Sequence, residues 1–278
     1  MILNKRVRLQ YSPWPICGAE YWSLTLLFVL ILASTFAAAA DRLVTVDTRP
    51  GVRVGYWLMP REGAKATVVL LPGGAGGIGL KGGVPTSDNF LVRSRDLFAA
   101  QGLNVAIVGK PSDRDDLDGY FRVSAAHAED LRVIVERLRT DLGKPVWLVG
   151  TSRGTISAAA AAIALDPSLL AGIVLTSSVT QGARAMPVPS LALSEIRVPV
   201  LVVHHRRDAC PSCQPHDAAY IVDRLTRAPV KKLVMLDGGS GARGDPCEPW
   251  HWHGYVGMES EAVETIADWI RNPVPEKP

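Results

Sequence analysis

The sequence predicts an α/β fold, a mostly parallel sheet flanked by helices. Three observations carry that expectation. Six short apolar runs recur along the chain, at Thr67–Leu71, Asn104–Val108, Val146–Val149, Gly172–Thr176, Val198–Val203 and Lys232–Leu236, as strands buried on both faces do. Between several of them lie apolar residues at helical spacing. One run, Val146–Val149, passes directly into Gly150-Thr151-Ser152-Arg153-Gly154 and a small-residue stretch from Thr155 to Leu165. That reads as strand, sharp turn and helix, with a serine at the tip.

The elements follow in chain order. The first forty residues read as a targeting segment. Lys5, Arg6 and Arg8 give a positive start, Leu26 to Leu32 an apolar centre, and Ala38-Ala39-Ala40 a small-residue cleavage site. The stretch from Trp22 to Ala40 carries no charge and nearly suffices to span a bilayer, so an uncleaved membrane anchor is the rival reading. Export with cleavage after Ala40 is preferred because small residues crowd the end of the run. The expected organisation is a targeting segment over 1–40, one domain over 41–271 and a loose proline-rich tail over 272–278.

Leu43–Thr48 and Val52–Met59 read as an initial β-pair about Arg49-Pro50-Gly51. Asp88 or Asn89 is placed to cap a helix carrying Phe90, Leu91, Leu97 and Phe98. Leu131, Ile134, Val135 and Leu138 form one helical stripe, and Val263, Ile266, Ala267 and Ile270 another. A hydrophobic content of 47% with 21% charged residues suits one packed domain. The net charge of +3 and the scattered basic residues give no nucleic-acid face.

Two antiparallel strands followed by alternating strands and helices, with Gly150-Thr151-Ser152-Arg153-Gly154 after the fifth strand, resemble the α/β-hydrolase superfamily over nearly all of Leu43 to Arg271. The resemblance implies an eight-stranded sheet without room for a full cap domain, since only Ser177 to Arg197 separates the sixth and seventh strands. Pro187 and Pro189 in that segment suggest a small lip. It also implies a nucleophile after strand five, an acid after strand seven and a histidine after strand eight. Ser152, Asp208 and His253 take those positions, with His251 as the alternative histidine and a surface ion pair with Arg206 or Arg207 as the plain reading of Asp208. The chemistry needs all three: a serine hydroxyl is a poor nucleophile until an imidazole takes its proton and a carboxylate orients the imidazole. The oxyanion hole is expected from the backbone N–H groups of Arg153 and of Gly74 or Ala75, in Pro72-Gly73-Gly74-Ala75-Gly76-Gly77. Proline stands where many relatives carry histidine in a His-Gly motif. In an oxidising compartment one disulfide is expected among Cys210, Cys213 and Cys247. Cys210–Cys247 is preferred because both flank segments that meet at the site, with Cys213–Cys247 next.

These residues imply an exported serine hydrolase acting on carboxylic esters, with a small-molecule ester substrate, no cofactor, no metal, and a membrane partner only if the N-terminal segment is retained. Other readings are weaker. Gly74-Ala75-Gly76-Gly77-Ile78-Gly79 satisfies a dinucleotide pattern, but Gly82-Gly83-Val84-Pro85 interrupts the helix that would meet a pyrophosphate. That disfavours a nucleotide-dependent oxidoreductase. Cys210-Pro211-Ser212-Cys213 with His251 and His253 offers metal-ligand chemistry. A non-catalytic binding protein on the same fold is the third alternative. His127 is given no role.

Overall fold

The structure is a computed structural model in which residues 10–12, 40–182 and 186–274 are described. The expected targeting segment, apart from Gln10–Ser12 and Ala40, and the last four residues of the expected tail lie outside them. Ala38–Pro278 forms one compact unit.

Its centre is an eight-stranded sheet: β1 (Arg42–Arg49), β2 (Val52–Met59), β3 (Ala66–Leu71), β4 (Leu103–Pro111), β5 (Val146–Thr151), β6 (Gly172–Thr176), β7 (Val200–His205) and β8 (Lys231–Leu236). Gly51, at φ 73°, closes the turn between β1 and β2. The spatial order is β1-β2-β4-β3-β5-β6-β7-β8. β1 pairs antiparallel with β2, and β2 with β4. All remaining pairs are parallel.

Among the described residues seven helices flank the sheet: α1 (Phe90–Arg93), α2 (Arg95–Ala100), α3 (Gly119–Arg122), α4 (Ala125–Leu142), α5 (Gly154–Ala164), α6 (Ala218–Arg224) and α7 (Glu259–Arg271). The expected stripes face inward. Leu131, Ile134, Val135 and Leu138 of α4 join Ile156 and Ala158 of α5 and Ile221 of α6 in one apolar cluster. Phe90 and Leu91 of α1, Phe98 of α2, and Val263, Ile266 and Ile270 of α7 form a second. Each face of the sheet therefore meets helices, which is why β3, β5, β6 and β7 are buried along their whole length. Asn89 caps α1 by accepting from the Leu91 N–H. Ser124 caps α4, which ends on Gly143 in the left-handed region.

One expectation is corrected. β7 runs on to His205, because its parallel ladder with β8 continues to the Leu236–His205 pair. His204 and His205 are thus buried strand residues rather than loop residues. Residues 183–185 of the segment expected to form a lip lie outside the described residues, and the part after them packs inward. Its 3₁₀ turns Val188–Ser190 and Leu193–Glu195 send Val188, Leu193 and Ile196 into the core, since burying those side chains is worth more than spreading them over an open cleft.

Candidate active site

The C-terminal ends of β3, β5, β6, β7 and β8 share one edge, the place where parallel α/β sheets present their ligand-binding loops. Ser152 follows β5 there, at φ 52°, a conformation uncommon for any residue but glycine. Its N–H donates to Thr176 O at 3.0 Å, and the Thr155 hydroxyl donates to Ser152 O at 2.6 Å. The flanking glycines are steric necessities. A Cβ on Gly150 would stand 2.4 Å from Gly154 O, and one on Gly154 would stand 1.9 Å from Leu71 O. Gly73 approaches from the other side, where a Cβ would lie 2.8 Å from that of Ser152.

Asp208 leaves the end of β7 and is buried. Its Oδ2 meets His253 Nδ1 at 2.8 Å, while its Oδ1 accepts the Cys210 N–H at 3.0 Å. The surface ion pair weighed for Asp208 does not form; Arg207 lies instead against Asp237, at 3.4 Å. His253 sits in the 3₁₀ turn Trp252–Gly254 of the loop after β8. The Ser177 hydroxyl donates to its carbonyl at 2.9 Å. A Cβ on the following Gly254 would stand 2.0 Å from Pro249 O, so glycine is required for this turn to close. His251 stacks edge-on against Trp252 and is not the partner of Asp208. With a carboxylate at Nδ1, the His253 proton is held there. Nε2 is left as the acceptor, buried and without a hydrogen-bond partner among the described residues.

Ser152 and His253 line one cavity of about 740 Å³. Gly73, Gly74 and Ala75 form one wall, Asn89 and Phe90 another, and the loop from Arg243 to Trp250 closes it. Trp250 lies between two guanidinium groups, Arg93 and Arg243, each 4.8 Å from the ring centre. The loop is tied down covalently, because Cys210 and Cys247 form a disulfide. Arg153 occupies the N-cap position of α5 without a side-chain capping bond, at a terminus where helix geometry leaves backbone N–H groups without intrahelical partners. In the glycine loop the Gly76 N–H donates to Gly73 O at 3.0 Å, making a turn with Gly74 and Ala75 at its tip. The loop then enters a two-stranded ladder, Leu80–Lys81 with Val84–Pro85, and the next helix begins only at Phe90. It opens no helix of the kind a dinucleotide needs.

Beside the site lie the ligand cluster weighed from the sequence and two residues, His204 and Arg122, that nothing in the sequence singled out. Cys213 is a buried free thiol, and one ligating atom each from Cys210, Cys213 and His253 lies within 4.8 Å of the others. Burial and the Asp208 carboxylate push the Cys213 thiol well up, and the nearby Ser152 hydroxyl draws it partly back. Cys210 is committed to the disulfide, so it offers no thiolate for a metal. His204 is fully buried and accepts the Ser178 N–H at 2.8 Å. Arg122 is buried behind the glycine loop.

Comparison with protein-family models finds no match, and sequence comparison with curated proteins finds none. Comparison with solved structures finds many. An α/β serine hydrolase without a lid from Xanthomonas campestris shares 16% identity at a TM-score of 0.57, over 86% of this chain and 98% of that one. An α/β serine hydrolase homologue from Coxiella burnetii shares 15% at 0.58, over 85% and 98%. An esterase from Pyrococcus furiosus shares 14% at 0.58, over 84% and 92%. The strand order, the helices on both faces and these likenesses agree: the chain has the α/β-hydrolase fold.

Proposed function

We propose that this protein is an exported serine hydrolase that cleaves carboxylic esters through an acyl-enzyme. The observation that carries the reading is the 2.8 Å contact of His253 Nδ1 with the buried Asp208 carboxylate, beside a cavity that Ser152 also lines. In this reading Ser152 Oγ attacks the ester carbonyl while His253 Nε2 takes its proton. The oxyanion is held by the N–H groups of Arg153 and of Gly74 or Ala75. His253 returns the proton to the leaving alcohol, and water, activated by the same imidazole, releases the acid. Solved neighbours that include an esterase support the reaction class. The Cys210–Cys247 disulfide supports an oxidising compartment, and no described helix is long and apolar enough to cross a membrane.

A series of p-nitrophenyl esters of increasing chain length, beside the matching anilides, tests the reaction class. Esters are expected to turn over and anilides to react far more slowly. A fluorophosphonate is expected to label the wild type and not Ser152→Ala. Undiminished labelling of Ser152→Ala would overturn the assignment and favour a binding protein with an incidental reactive group.

A further inference from the structure

Arg122 is a buried cation without a buried anion. Only 2% of the residue is exposed. Its four hydrogen bonds all end on neutral acceptors: Nε donates to Leu117 O at 2.8 Å, Nη1 to the Ser157 hydroxyl at 2.8 Å, and Nη2 to both Pro72 O and Gly74 O at 3.2 Å. Ser157 is held in turn by His127 Nε2 at 2.9 Å. Burial and the positive charge of Arg153 pull the guanidinium pKa down, to about 9, against a weaker opposing pull from Asp116 and Asp118. A charge so placed destabilises the fold unless something is gained elsewhere, and a buried ionic group is often replaceable by apolar residues without loss of stability.

The gain lies in what the guanidinium grips. A peptide group is planar and trans, so the C=O of one residue and the N–H of the next point in opposite directions. Nη2 draws the Gly74 carbonyl inward, which turns the Ala75 N–H the opposite way, on a peptide whose two residues line the cavity. The bond to Pro72 O fixes the start of the same loop. Gly76 is packed against this arrangement: a Cβ there would lie 2.5 Å from Leu117 Cδ1 and 3.3 Å from Arg122 Nη2. The Gly76 N–H to Gly73 O and Leu117 N–H to Ala75 O bonds hold the peptides on either side. Among the hydrogen bonds of the described residues, only that of Arg122 falls on the Gly74–Ala75 peptide itself, beside a glycine at φ 55° that is free to flip.

We infer that Arg122 is a positioning residue for the oxyanion hole: by holding the Pro72 and Gly74 carbonyls from behind, its guanidinium orients the Ala75 N–H and places a positive charge behind the site where the tetrahedral oxygen becomes negative. The inference rests on the Ser152 reading above. It makes Ala75, rather than Gly74, the loop donor whose direction is controlled. His127 and Ser157 act one step further back, fixing the other end of the guanidinium.

The test compares wild type with Arg122→Met, Arg122→Lys and Ser152→Ala, each confirmed folded by near-UV circular dichroism. The readouts are kcat and KM for a p-nitrophenyl ester and the rate of fluorophosphonate labelling. Losing an oxyanion donor lowers kcat by roughly a hundred- to a thousandfold. Arg122→Met is expected in that range, with KM within about threefold and a parallel fall in labelling rate. Arg122→Lys keeps the charge but loses the fork, and is expected to recover part of the loss. A role in folding alone would lower the melting temperature and leave kcat per folded molecule unchanged. If Arg122→Met does not fold, Arg122→Lys decides: full wild-type kcat there overturns the inference, and a reduced kcat at unchanged KM supports it. If the wild type itself is neither labelled nor active, the Ser152 reading falls and this one with it. If the wild type is active and both variants match it, only the role of Arg122 falls.

Discussion

The contact between Asp208 and His253 is a statement about protons as much as about distance. Asp208 Oδ1 accepts from the Cys210 N–H, which can only donate. Its Oδ2 faces His253 Nδ1. In Asp208→Asn the amide oxygen stays with Cys210, and the amide nitrogen is forced toward the imidazole. A donor facing Nδ1 moves the ring proton to Nε2, and the ring can no longer take the proton that the proposed mechanism draws from Ser152. The substitution preserves shape, so folding is expected to survive while kcat falls by roughly three to four orders of magnitude. Steady-state kinetics of Asp208→Asn beside its melting curve measure this. A variant within tenfold of wild type would mean that another carboxylate orients His253. Arg122 was invisible at the residue scale. A lone arginine in Asp118-Gly119-Tyr120-Phe121-Arg122 reads as a solvated side chain, and only the close packing of the glycine loop shows that it faces inward.

At the scale of elements, the serine turn joins β5 to α5 so tightly that no side chain fits at either flank. Gly154→Ala would drive a Cβ into the Leu71 carbonyl of β3. Backbone cannot swing aside as a side chain can, and such overpacking costs about 3 kcal/mol or more. For a unit of this size that lowers the melting temperature by about 6–12 °C. Gly77→Ala is the control, since no heavy atom lies within 4 Å of a Cβ there. It is expected to melt within about 2 °C of wild type. Calorimetry of the two variants checks both, and equal melting points would remove the steric argument. The same tightness made the turn legible in the sequence: an apolar strand, two glycines bracketing a serine and a small-residue helix leave little choice of geometry. The central strands were legible for a similar reason, because strands buried on both faces read as short, mostly apolar runs. The β6–β7 segment was not, since prolines mark a loop without saying which way its apolar side chains turn. The end of β7 was misplaced because His204 and His205 look polar, whereas the ladder with Leu236 keeps both in the sheet.

The loop after β8 draws its order from elsewhere. It has little regular structure, yet it supplies His253 and much of the cavity wall. His205 Nδ1 accepts from the Arg207 N–H, so its proton sits on Nε2 and reaches Gly238 O at 3.2 Å at the loop's start. The disulfide holds the middle, and Tyr255 OH donates to Val203 O at 2.9 Å near its end. The linked cysteines are 37 residues apart. A loop of that length constrains the unfolded chain by about 4 kcal/mol. Cys247→Ser is therefore expected to lower the melting temperature by about 8–16 °C. It also frees the wall that carries Arg243 and Trp250, so KM is expected to rise more than kcat falls. Melting curves and ester kinetics of the variant measure both. A variant that melts with the wild type would mean that the loop is held by its hydrogen bonds alone.

Taken as a whole, the molecule buries histidines that must stay neutral, and this sets its response to acid. Burial lowers the His127 pKa to about 3, with the charges of Arg122 and Arg49 adding to the effect. It lowers that of His204 to about 4, where Asp208 opposes the shift only in part. His204 Nε2 already accepts the Ser178 N–H, so a second proton there would face a donor, and His127 Nδ1 has no partner among the described residues to receive an added N–H. Both groups take up protons near pH 6.5 once the chain unfolds. Between about 6.5 and the folded-state values, the unfolded chain therefore binds more protons than the native one. Stability is complete above that window and falls as the pH is lowered through it. Each such histidine contributes a slope of up to about 1.4 kcal/mol per pH unit, or about 3–6 °C in melting temperature. His127→Gln keeps a polar group near Ser157 and removes one titration. Its melting temperature is expected to fall less steeply than that of wild type from pH 6.5 to 4.5, whatever its value at pH 7. The carboxylates held low by arginine partners, such as Asp113 with Arg49 and Glu129 with Arg132, act at lower pH and are common to both proteins. Melting curves that run parallel through this interval would show that His127 does not carry the acid response, and the slope would then have to come from His204 and His205, whose pKa values burial also lowers.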